Sequence, residues 1–352
     1  MYNFLEISLS NLVQNYCFIK SILYKKVSCS IIIKSNAYGL GLIQVSKILF
    51  SQGCRNFWVN DIEEGIAIKQ HVDNSNIYVL SSNLNIKEIQ IIKKMDFIFV
   101  ITEIKQINLI SICKNYNIKI VINFDTGLGR EGLQIQDFKQ IRWDQFNTKF
   151  IMSHLSAGGV KNYYINRLQF RQFKYIKQYF YRINISFSNS SGMLLNGKYR
   201  LGIIRIGGLL YGINIPYKLE QYLNTVIKFY ASIQSKKVLN RNSYIGYNNN
   251  FFRKRNNKIL IINVGYYNGY PTNMINKGVI FTEGFYAPII GKISMNYIIV
   301  DATYIPINVF VSLKYVELIG KNITLDKISR MSNSNPRELL VSLSRNNKVV
   351  YN

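Results

Sequence analysis

The chain is poor in acidic residues, histidine, cysteine and proline, and these shortages exclude several classes of protein. Its 352 residues include only 18 Asp and Glu, 2 His, 4 Cys and 5 Pro. The cysteines at positions 17, 29, 54 and 113 show no Cys-x-x-Cys spacing, so neither a zinc site nor a disulfide framework is indicated. We therefore expect no bound metal and a reducing, cytoplasmic location.

Long apolar runs are missing as well. No uninterrupted apolar stretch approaches the roughly 18 residues that a membrane span requires, and the first residues lack a basic segment followed by an apolar one. We expect neither a secretory signal nor a membrane partner. Hydrophobic residues still make up 48% of the chain and charged residues 18%, which is typical of a folded globular protein and excludes intrinsic disorder.

The net charge of +26 suggests a nucleic acid or an anionic surface as the first partner to consider. However, the basic residues are spread along the whole chain, and no basic run is longer than residues 253–255. The chain is also rich in Ile, Asn, Tyr and Phe, which A/T-biased codons favour together with Lys. We attribute most of the lysine excess to that bias and expect no nucleic-acid partner.

From residue 27 to about 208, short β-branched or aromatic runs alternate with segments of helical period. The candidate strands are residues 27–34, 56–60, 76–81, 97–102, 118–125, 150–155, 185–189 and 203–206. Repeated strand–helix units imply a parallel sheet with crossovers. Eight of them favour an α/β fold with an N-terminal (β/α)8 TIM-like barrel, although periodicity alone leaves an open doubly wound sheet possible.

After about residue 220, the pattern changes to strands separated by Asn, Gly and Pro turns. The candidate strand runs here are residues 258–264, 278–281, 287–300 and 309–319. We therefore divide the chain into a barrel domain, residues 1–225, and a C-terminal, mainly β domain, residues 226–352.

In a parallel barrel, functional groups lie where the strands end. These ends carry one lysine, one histidine, two arginines, a serine and two glycines: Lys34, His154, Arg130, Arg205, Ser190, Gly207 and Gly208. A lysine beside a half-buried mouth suits carbonyl chemistry, and glycines after the last strands suit a phosphate. Together they point to pyridoxal phosphate. A solvated lysine and ordinary turn glycines remain the alternatives.

The segment after Lys34 resembles the cofactor-lysine signature of bacterial alanine racemases, in which a lysine is followed by a small residue and Asn-Ala-Tyr-Gly. Further segments resemble the same family in the same order along nearly the whole chain. The matching segments are residues 32–41, 124–132, 153–154, 189–191, 204–212, 245–247, 265–271, 290–295 and 300–303. The resemblance implies a pyridoxal phosphate-dependent enzyme of fold type III.

By this resemblance, Lys34 would carry pyridoxal phosphate and act as the base on one face of the substrate. Tyr247 would be the opposing acid/base, supplied by the partner subunit of a homodimer with shared active sites. Two bases suit racemisation, since one removes the Cα proton and the other returns it on the opposite face.

The remaining roles are also carried over by resemblance. Arg205 would donate to the cofactor's ring nitrogen, with His154 holding Arg205 in place. Four residues would contact the phosphate: Tyr38, Ser190, Gly207 and Gly208. Two would form the pocket for the substrate carboxylate, namely Arg130 and the backbone of Met295, and Tyr266 would lie at the active-site entrance.

Three positions depart from the family pattern. Asn123 replaces a lysine that is often carbamylated, so a negative charge near Arg130 is lost, although an amide can still hydrogen-bond Arg130. Asn268 and Asn296 replace aspartates. The C-terminal segment, residues 335–345, follows the family only loosely, and the sequence assigns it no role.

The resemblance implies an alanine racemase that supplies D-alanine for peptidoglycan. The sequence also allows two alternatives. One is a pyridoxal phosphate-dependent racemase of another amino acid, because the retained groups act at Cα and not on the side chain. The other is a decayed, basic nucleic-acid-binding protein, suggested by the charge and the lost aspartates.

Overall fold

The computed structural model describes residues 2–81, 83–113, 116–180, 182–195, 197–240, 243–246, 251–253 and 257–352. The chain forms two compact units. We call Tyr16–Ala37 with Gly41–Leu210 the barrel unit, and Met1–Asn15 with Tyr38–Leu40 and Tyr211–Asn352 the β unit. The helix α1 (Leu9–Ser21) and the short segment α2 (Lys34–Tyr38) have residues in both units.

The barrel unit contains an 8-stranded sheet whose strands all pair in parallel. Its strands are β2 (Ser28–Ile32), β3 (Asn56–Val59), β4 (Asn76–Val79), β5 (Ile98–Ile101), β6 (Lys119–Asn123), β7 (Asn147–Met152), β8 (Asn184–Ser186) and β9 (Ile203–Ile206). The strands follow chain order from β2 to β8, and β9 pairs with β2.

Contacts between the two end strands close the sheet. The Arg205 N–H donates to the carbonyl of Ser188 at 3.1 Å, and Asn189 forms a parallel bridge with Arg205. The predicted fold class, a parallel barrel followed by a mainly β region, is therefore confirmed. Helices connect most of the strands: α3 (Leu42–Ser51), α4 (Ile62–Lys69), α5 (Ile86–Lys94), α6 (Ile104–Ile112) and α7 (Tyr164–Tyr179).

Aromatic side chains fill part of the barrel interior. Trp58 stacks on Tyr78 with ring centroids 4.5 Å apart, and both rings lie against Phe150. The Trp58 indole N–H donates to Ser30 Oγ at 3.0 Å, so its one polar group is satisfied in the core. The interior is thus packed, and the strand ends are left to carry function.

The β unit contains a second 8-stranded sheet, largely antiparallel. The strands of this unit are β1 (Phe4–Ile7), β10 (Ile227–Leu239), β11 (Ser243–Ile245), β12 (Phe251–Arg253), β13 (Asn257–Ile262), β14 (Val279–Thr282), β15 (Phe285–Ile290), β16 (Ile298–Asp301), β17 (Tyr315–Ile319) and β18 (Lys348–Tyr351). Its helices are α8 (Ile307–Ser312), α9 (Leu325–Ser332) and α10 (Pro336–Arg345).

The long strand β10 organises this sheet, because it pairs with β1, β13 and β17. The opening strand β1 lies between β10 and β18 and runs parallel to β18. The first strand of the chain therefore belongs to the β unit, whereas the sequence-based division groups residues 1–225. Among the described residues, no helix combines the length and apolar character needed to cross a membrane.

Candidate active site

In the barrel unit, the predicted site residues lie at the carboxyl ends of neighbouring strands. Lys34 follows β2, Arg205 is in β9, and His154 and Ser190 follow β7 and β8. Carboxyl ends of parallel strands meet at one rim of a barrel. The structure therefore brings these four side chains to the same rim.

The Lys34 side chain is half-buried at this rim. Burial lowers its pKa, and the positive charge of Arg130 lowers it further, while Glu131 and Glu64 act in the opposite direction. A lowered pKa increases the fraction of neutral, nucleophilic amine at neutral pH. This result also places Arg130, predicted from another loop, within electrostatic reach of Lys34.

A left-handed turn follows Lys34. Ser35, Asn36, Ala37 and Tyr38 have φ values of 56°, 55°, 54° and 59°. Each non-glycine residue in this region costs about 1–2 kcal/mol, so four in succession need strong tethers. The turn lies directly after Lys34 in the chain.

Asn36 and Glu64 supply these tethers. The Asn36 N–H donates to Glu64 Oε1 at 2.6 Å, and the Asn60 N–H donates to Glu64 Oε2 at 2.8 Å. Asn36 Oδ1 in turn accepts the N–H of Leu42 at 2.8 Å. One carboxylate thus joins the turn after β2 to the loop after β3.

Sequence reasoning missed Glu64 as a site residue. Its only sequence signal is the Asp61-x-x-Glu64 spacing of a capping box, and the Glu64 N–H does donate to Asp61 Oδ1 at 2.9 Å. Its carboxylate instead binds backbone groups of Asn36 and Asn60. A contact over 28 residues cannot be inferred from a local pattern.

Arg205 is almost fully buried, at 4% exposure. Its guanidinium donates to the carbonyls of Ser186 at 3.0 Å and Ser153 at 2.6 Å, and lies 5.9 Å from the centroid of the Trp58 ring. Burial lowers its pKa to about 10. These contacts fix the plane of the guanidinium at the rim.

His154 lies between Arg205 and Asn189. Its Nδ1 is 3.4 Å from Arg205 Nη2, and its Nε2 is 3.1 Å from Asn189 Nδ2. Asn189 is itself oriented by the N–H of Gly192, which donates to its Oδ1 at 2.8 Å. The predicted pairing of His154 with Arg205 is therefore present in the geometry.

Ser190 and Gly207 are joined by a buried hydrogen bond, in which the Gly207 N–H donates to Ser190 Oγ at 2.8 Å. Gly208 follows directly, and both glycines are buried. Ser190 is 8% exposed. A hydroxyl and glycine backbone at adjacent strand ends form a small polar cradle of the kind that holds a phosphate.

The loop that carries Arg130 is organised by Asp125. Burial acts to raise the pKa of the Asp125 carboxyl, but backbone N–H donors of residues 127–130 outweigh it and hold the pKa below its usual range. The Arg130 side chain is 62% exposed, with Nε 3.9 Å from a Glu131 oxygen. The Arg130 guanidinium is thus available to an anionic ligand.

Asn123 does not supply the contact to Arg130 that its position suggests. Its Nδ2 donates to the backbone carbonyl of Glu131 at 2.9 Å. Its Oδ1 is buried and has no hydrogen-bond partner among the described residues. The amide therefore supports the loop backbone through the Glu131 carbonyl.

In the β unit, the predicted residues Tyr266 and Met295 lie together. The Tyr266 N–H donates to the Ser294 carbonyl at 3.1 Å, and the Tyr267 N–H donates to the Met295 carbonyl at 3.0 Å. A Cβ on Gly265 would lie 2.1 Å from the Ser294 oxygen, so only glycine permits this approach. Tyr266 is 47% and Met295 53% exposed.

Asn268 is buried in the same unit and binds Asn347, which follows α10. Its Nδ2 donates to Asn347 Oδ1 at 3.1 Å, and the Asn347 Nδ2 donates back to the Asn268 carbonyl at 2.9 Å. Asn268 Oδ1 accepts the N–H of Gly265 at 3.2 Å. This replacement of a family aspartate is thus matched by an asparagine partner.

Tyr38 is the remaining predicted residue in this unit. Its ring packs on Tyr211 at 4.9 Å between centroids. Burial raises the pKa of Tyr38, which keeps the phenol protonated, while Arg337 opposes that shift. Tyr247, the predicted second base, lies outside the described residues.

Comparison with known proteins identifies the family of this chain. The family described as "Alanine racemase, N-terminal domain" matches residues 7–215, and "Alanine racemase, C-terminal domain" matches residues 226–351. The alanine racemase of Rickettsia canadensis (strain McKiel) is 31% identical over 356 residues, covering 99% of this chain and 98% of that protein. That of Rickettsia bellii (strain RML369-C) is 32% identical over 329 residues, covering 91% and 80%.

Solved structures agree. The alanine racemase from Bartonella henselae with covalently bound pyridoxal phosphate superposes with a TM-score of 0.91 at 29% identity, covering 100% of both chains. The alanine racemase from Streptomyces lavendulae has the same fold, with a TM-score of 0.91 at 17% identity, covering 100% of this chain and 97% of that one. With both family domains matched in order, this chain belongs to the alanine racemases, a family of pyridoxal phosphate-dependent isomerases.

Proposed function

We propose that this protein binds pyridoxal phosphate through Lys34 and interconverts L- and D-alanine with two bases, Lys34 and Tyr247. The observation that carries the proposal is the position and state of Lys34: it follows the barrel strand β2, and burial and the nearby Arg130 both lower its pKa. A neutral amine at the rim is what covalent attachment to an aldehyde requires.

The residues at the rim fit the cofactor. The buried Ser190–Gly207 cradle, with Gly208, suits the phosphate, and Tyr38 would add a phenol donor. The buried Arg205, held with His154, suits the ring nitrogen. Pyridoxal phosphate, when bound, supplies a sink for the electrons of the Cα–H bond.

Arg205 would keep its own proton throughout the reaction. Even with a pKa lowered to about 10, the guanidinium is protonated by about a thousandfold over its neutral form at pH 7. It therefore offers a hydrogen bond to the ring nitrogen without transferring a proton. Its contacts to Ser153 and Ser186 keep that donor in place.

Lys34 would remove or return the Cα proton at Nζ on one face of the substrate. Tyr247 would do the same at its phenol oxygen on the opposite face, contributed by the partner subunit of a homodimer. Arg130 and the Met295 backbone would bind the substrate carboxylate, and Tyr266 would lie at the entrance. Arg130 is exposed and not tightly paired, which favours an anionic ligand.

We propose further that residues 1–225 and 226–352 act as the cofactor-carrying and Tyr247-carrying domains. The protein would act in the cytoplasm, where it would supply D-alanine for peptidoglycan.

The test uses purified protein with pyridoxal phosphate and L-alanine. We expect D-alanine to appear and Cα deuterium to be lost, and Lys34→Ala to abolish both together with the visible absorbance of the lysine-linked cofactor. The control is Lys47→Ala, an exposed lysine on α3. An undiminished absorbance in Lys34→Ala would refute the proposal.

Two further measurements test the second base and the substrate separately. Tyr247→Phe should lose deuterium exchange for one enantiomer of alanine and keep it for the other, because one base survives. Equal loss for both enantiomers would contradict the two-base assignment. A panel of other L-amino acids, each followed by Cα deuterium loss, decides the substrate.

A further inference from the structure

A buried glutamine on helix α7 contacts two loops of the predicted site. Gln169 is 1% exposed, and α7 is the helix that follows strand β7. None of the sequence segments that resemble the family includes this residue. An amide that leaves water must find its hydrogen-bond partners inside the protein, so the partners of Gln169 show what it holds.

The Gln169 amide is fully hydrogen-bonded. Its Oε1 accepts the N–H and the hydroxyl of Ser156, each at 3.0 Å. Its Nε2 donates to the His154 carbonyl at 3.0 Å and to Thr126 Oγ1 at 3.4 Å. Two donor hydrogens and two acceptor lone pairs are all that a primary amide has. Because the Ser156 N–H can only donate and the His154 carbonyl can only accept, the partners fix the orientation of the amide.

These partners belong to two different loops at the barrel rim. Thr126 lies in the loop after β6, which also carries Arg130, and residues 154–156 lie in the loop after β7. Gln169 packs beside the first loop as well, since a Cβ added to Gly127 would lie 3.6 Å from Gln169 Cγ. One side chain therefore holds both loops.

The same network reaches Arg205 by two routes. Thr126 Oγ1 and Ser153 Oγ are hydrogen-bonded at 2.7 Å in the core, and the Ser153 carbonyl accepts the Arg205 guanidinium at 2.6 Å. The His154 backbone is bound by Gln169, and the His154 ring Nδ1 lies 3.4 Å from Arg205 Nη2. A shift of this backbone would therefore move the guanidinium.

We propose that Gln169 is a positioning residue: it fixes the loop after β6 and the loop after β7 relative to each other, and with them Arg130 and the pair of Arg205 and His154. This inference rests on the proposed function, in which Arg205 donates to the cofactor's ring nitrogen. Helix α7 thus takes part in the site without contacting the cofactor or the substrate.

The test follows the cofactor ring as well as turnover. Wild-type protein and Gln169→Leu are loaded with pyridoxal phosphate labelled with ¹⁵N in the ring, and the chemical shift of that nitrogen reports its hydrogen bond. Leucine is close to glutamine in size but makes none of the four hydrogen bonds. We expect the shift in Gln169→Leu to move toward that of a pyridine nitrogen without a donor.

Turnover should change in the same variant. Cα deuterium loss from alanine should slow by roughly tenfold or more, because several buried hydrogen bonds that hold the site are lost. The KM for alanine should also rise, since the loop that carries Arg130 is no longer tied to α7.

Gln169→Glu tests the donor side of the amide alone. A carboxylate still accepts from Ser156, but it cannot donate to the His154 carbonyl, whereas a protonated carboxyl group can. We expect the ¹⁵N shift of this variant to resemble that of Gln169→Leu at alkaline pH and to approach the wild-type value as the pH falls. Identical pH profiles for Gln169→Glu and Gln169→Leu would contradict the role of the donor side.

Two controls lie on the same helix. Gln172→Leu changes an exposed glutamine and should leave the ¹⁵N shift and the melting temperature unchanged. Asn166→Leu removes a buried amide that donates to the carbonyls of Ala157 and Val160, both at 3.0 Å. It should lower the melting temperature but keep the wild-type ¹⁵N shift, because it does not touch residues 153–154.

The failures are distinguishable. If wild-type protein forms no lysine-linked species with pyridoxal phosphate, the proposed function is wrong. If it does, and Gln169→Leu keeps the wild-type ¹⁵N shift or Asn166→Leu changes it equally, the assignment of Gln169 alone is overturned. Should Gln169→Leu not fold, the pH profile of Gln169→Glu against wild type decides the same point, and a profile identical to that of wild type would overturn the assignment.

Discussion

Replacing Glu64 by glutamine should loosen the left-handed turn beside Lys34. The Glu64 carboxylate accepts two backbone N–H groups, from Asn36 at 2.6 Å and Asn60 at 2.8 Å. A glutamine keeps one acceptor oxygen but turns an NH2 group toward the other N–H. We expect the loss of one charge-assisted hydrogen bond, about 1.5–3 kcal/mol.

The turn is sensitive to this change because it already stores strain. Four non-glycine residues with positive φ carry about 4–8 kcal/mol in total at about 1–2 kcal/mol each. In a unit of this size, losing one tether should lower Tm by roughly 3–12 °C. Since Glu64 also raises the Lys34 pKa, its neutralisation should lower that pKa further.

The assay is a thermal melt of the apoprotein together with the pH dependence of cofactor attachment. Glu63→Gln is the matched control, because Glu63 is the exposed neighbour on α4. We expect Glu64→Gln to melt earlier and to attach the cofactor at lower pH than Glu63→Gln. Identical melts and pH profiles for the two variants would refute the role of Glu64.

Three further outcomes can be measured. The folded-state pKa of Lys34 is lowered, so between that pKa and about 10.4 the unfolded chain binds more protons than the folded one. The free energy of unfolding of the apoprotein, compared with that of Lys34→Met, should therefore rise with pH in that window. Urea midpoints of the two proteins that change in parallel across pH would contradict this. Gly39→Ala should lower the free energy of unfolding by roughly 1–3 kcal/mol. Adding Ser344→Gly should relieve the clash between the new Cβ and Ser344 but not the backbone strain at residue 39, and thermal melts of both variants would show this. Asn268→Asp, which restores the family residue, should cost about 1–3 kcal/mol by denaturant titration, because an oxygen would face the acceptor Oδ1 of Asn347.

The barrel strands could be predicted closely because buried parallel strands are continuous β-branched runs. The run 203–206 coincides with β9, and the run 56–60 with β3 (Asn56–Val59). The strands of the C-terminal half were harder to predict. The run 309–319 contains the end of α8 and all of β17, since short apolar runs do not distinguish a helical turn from a strand.

The pairing of β1 with β10 and β18 could not be predicted either, because it joins segments hundreds of residues apart. At the site, strand ends and the family resemblance located Lys34, His154, Ser190 and Arg205. Glu64, which tethers the turn after Lys34, carries no such signal, because in the sequence it looks like an ordinary helix-capping residue.

The place of β1 in the sheet has a consequence for synthesis. Residues 4–7 are synthesised before their parallel neighbour, residues 348–351, which follow roughly 20–70 seconds later at typical elongation rates. All of the barrel unit is made in that interval. Even after β10 has paired with one edge of β1, the other edge stays unpaired until residues 348–351 are made, and β1 is the segment at which chaperone binding to this chain should be sought first.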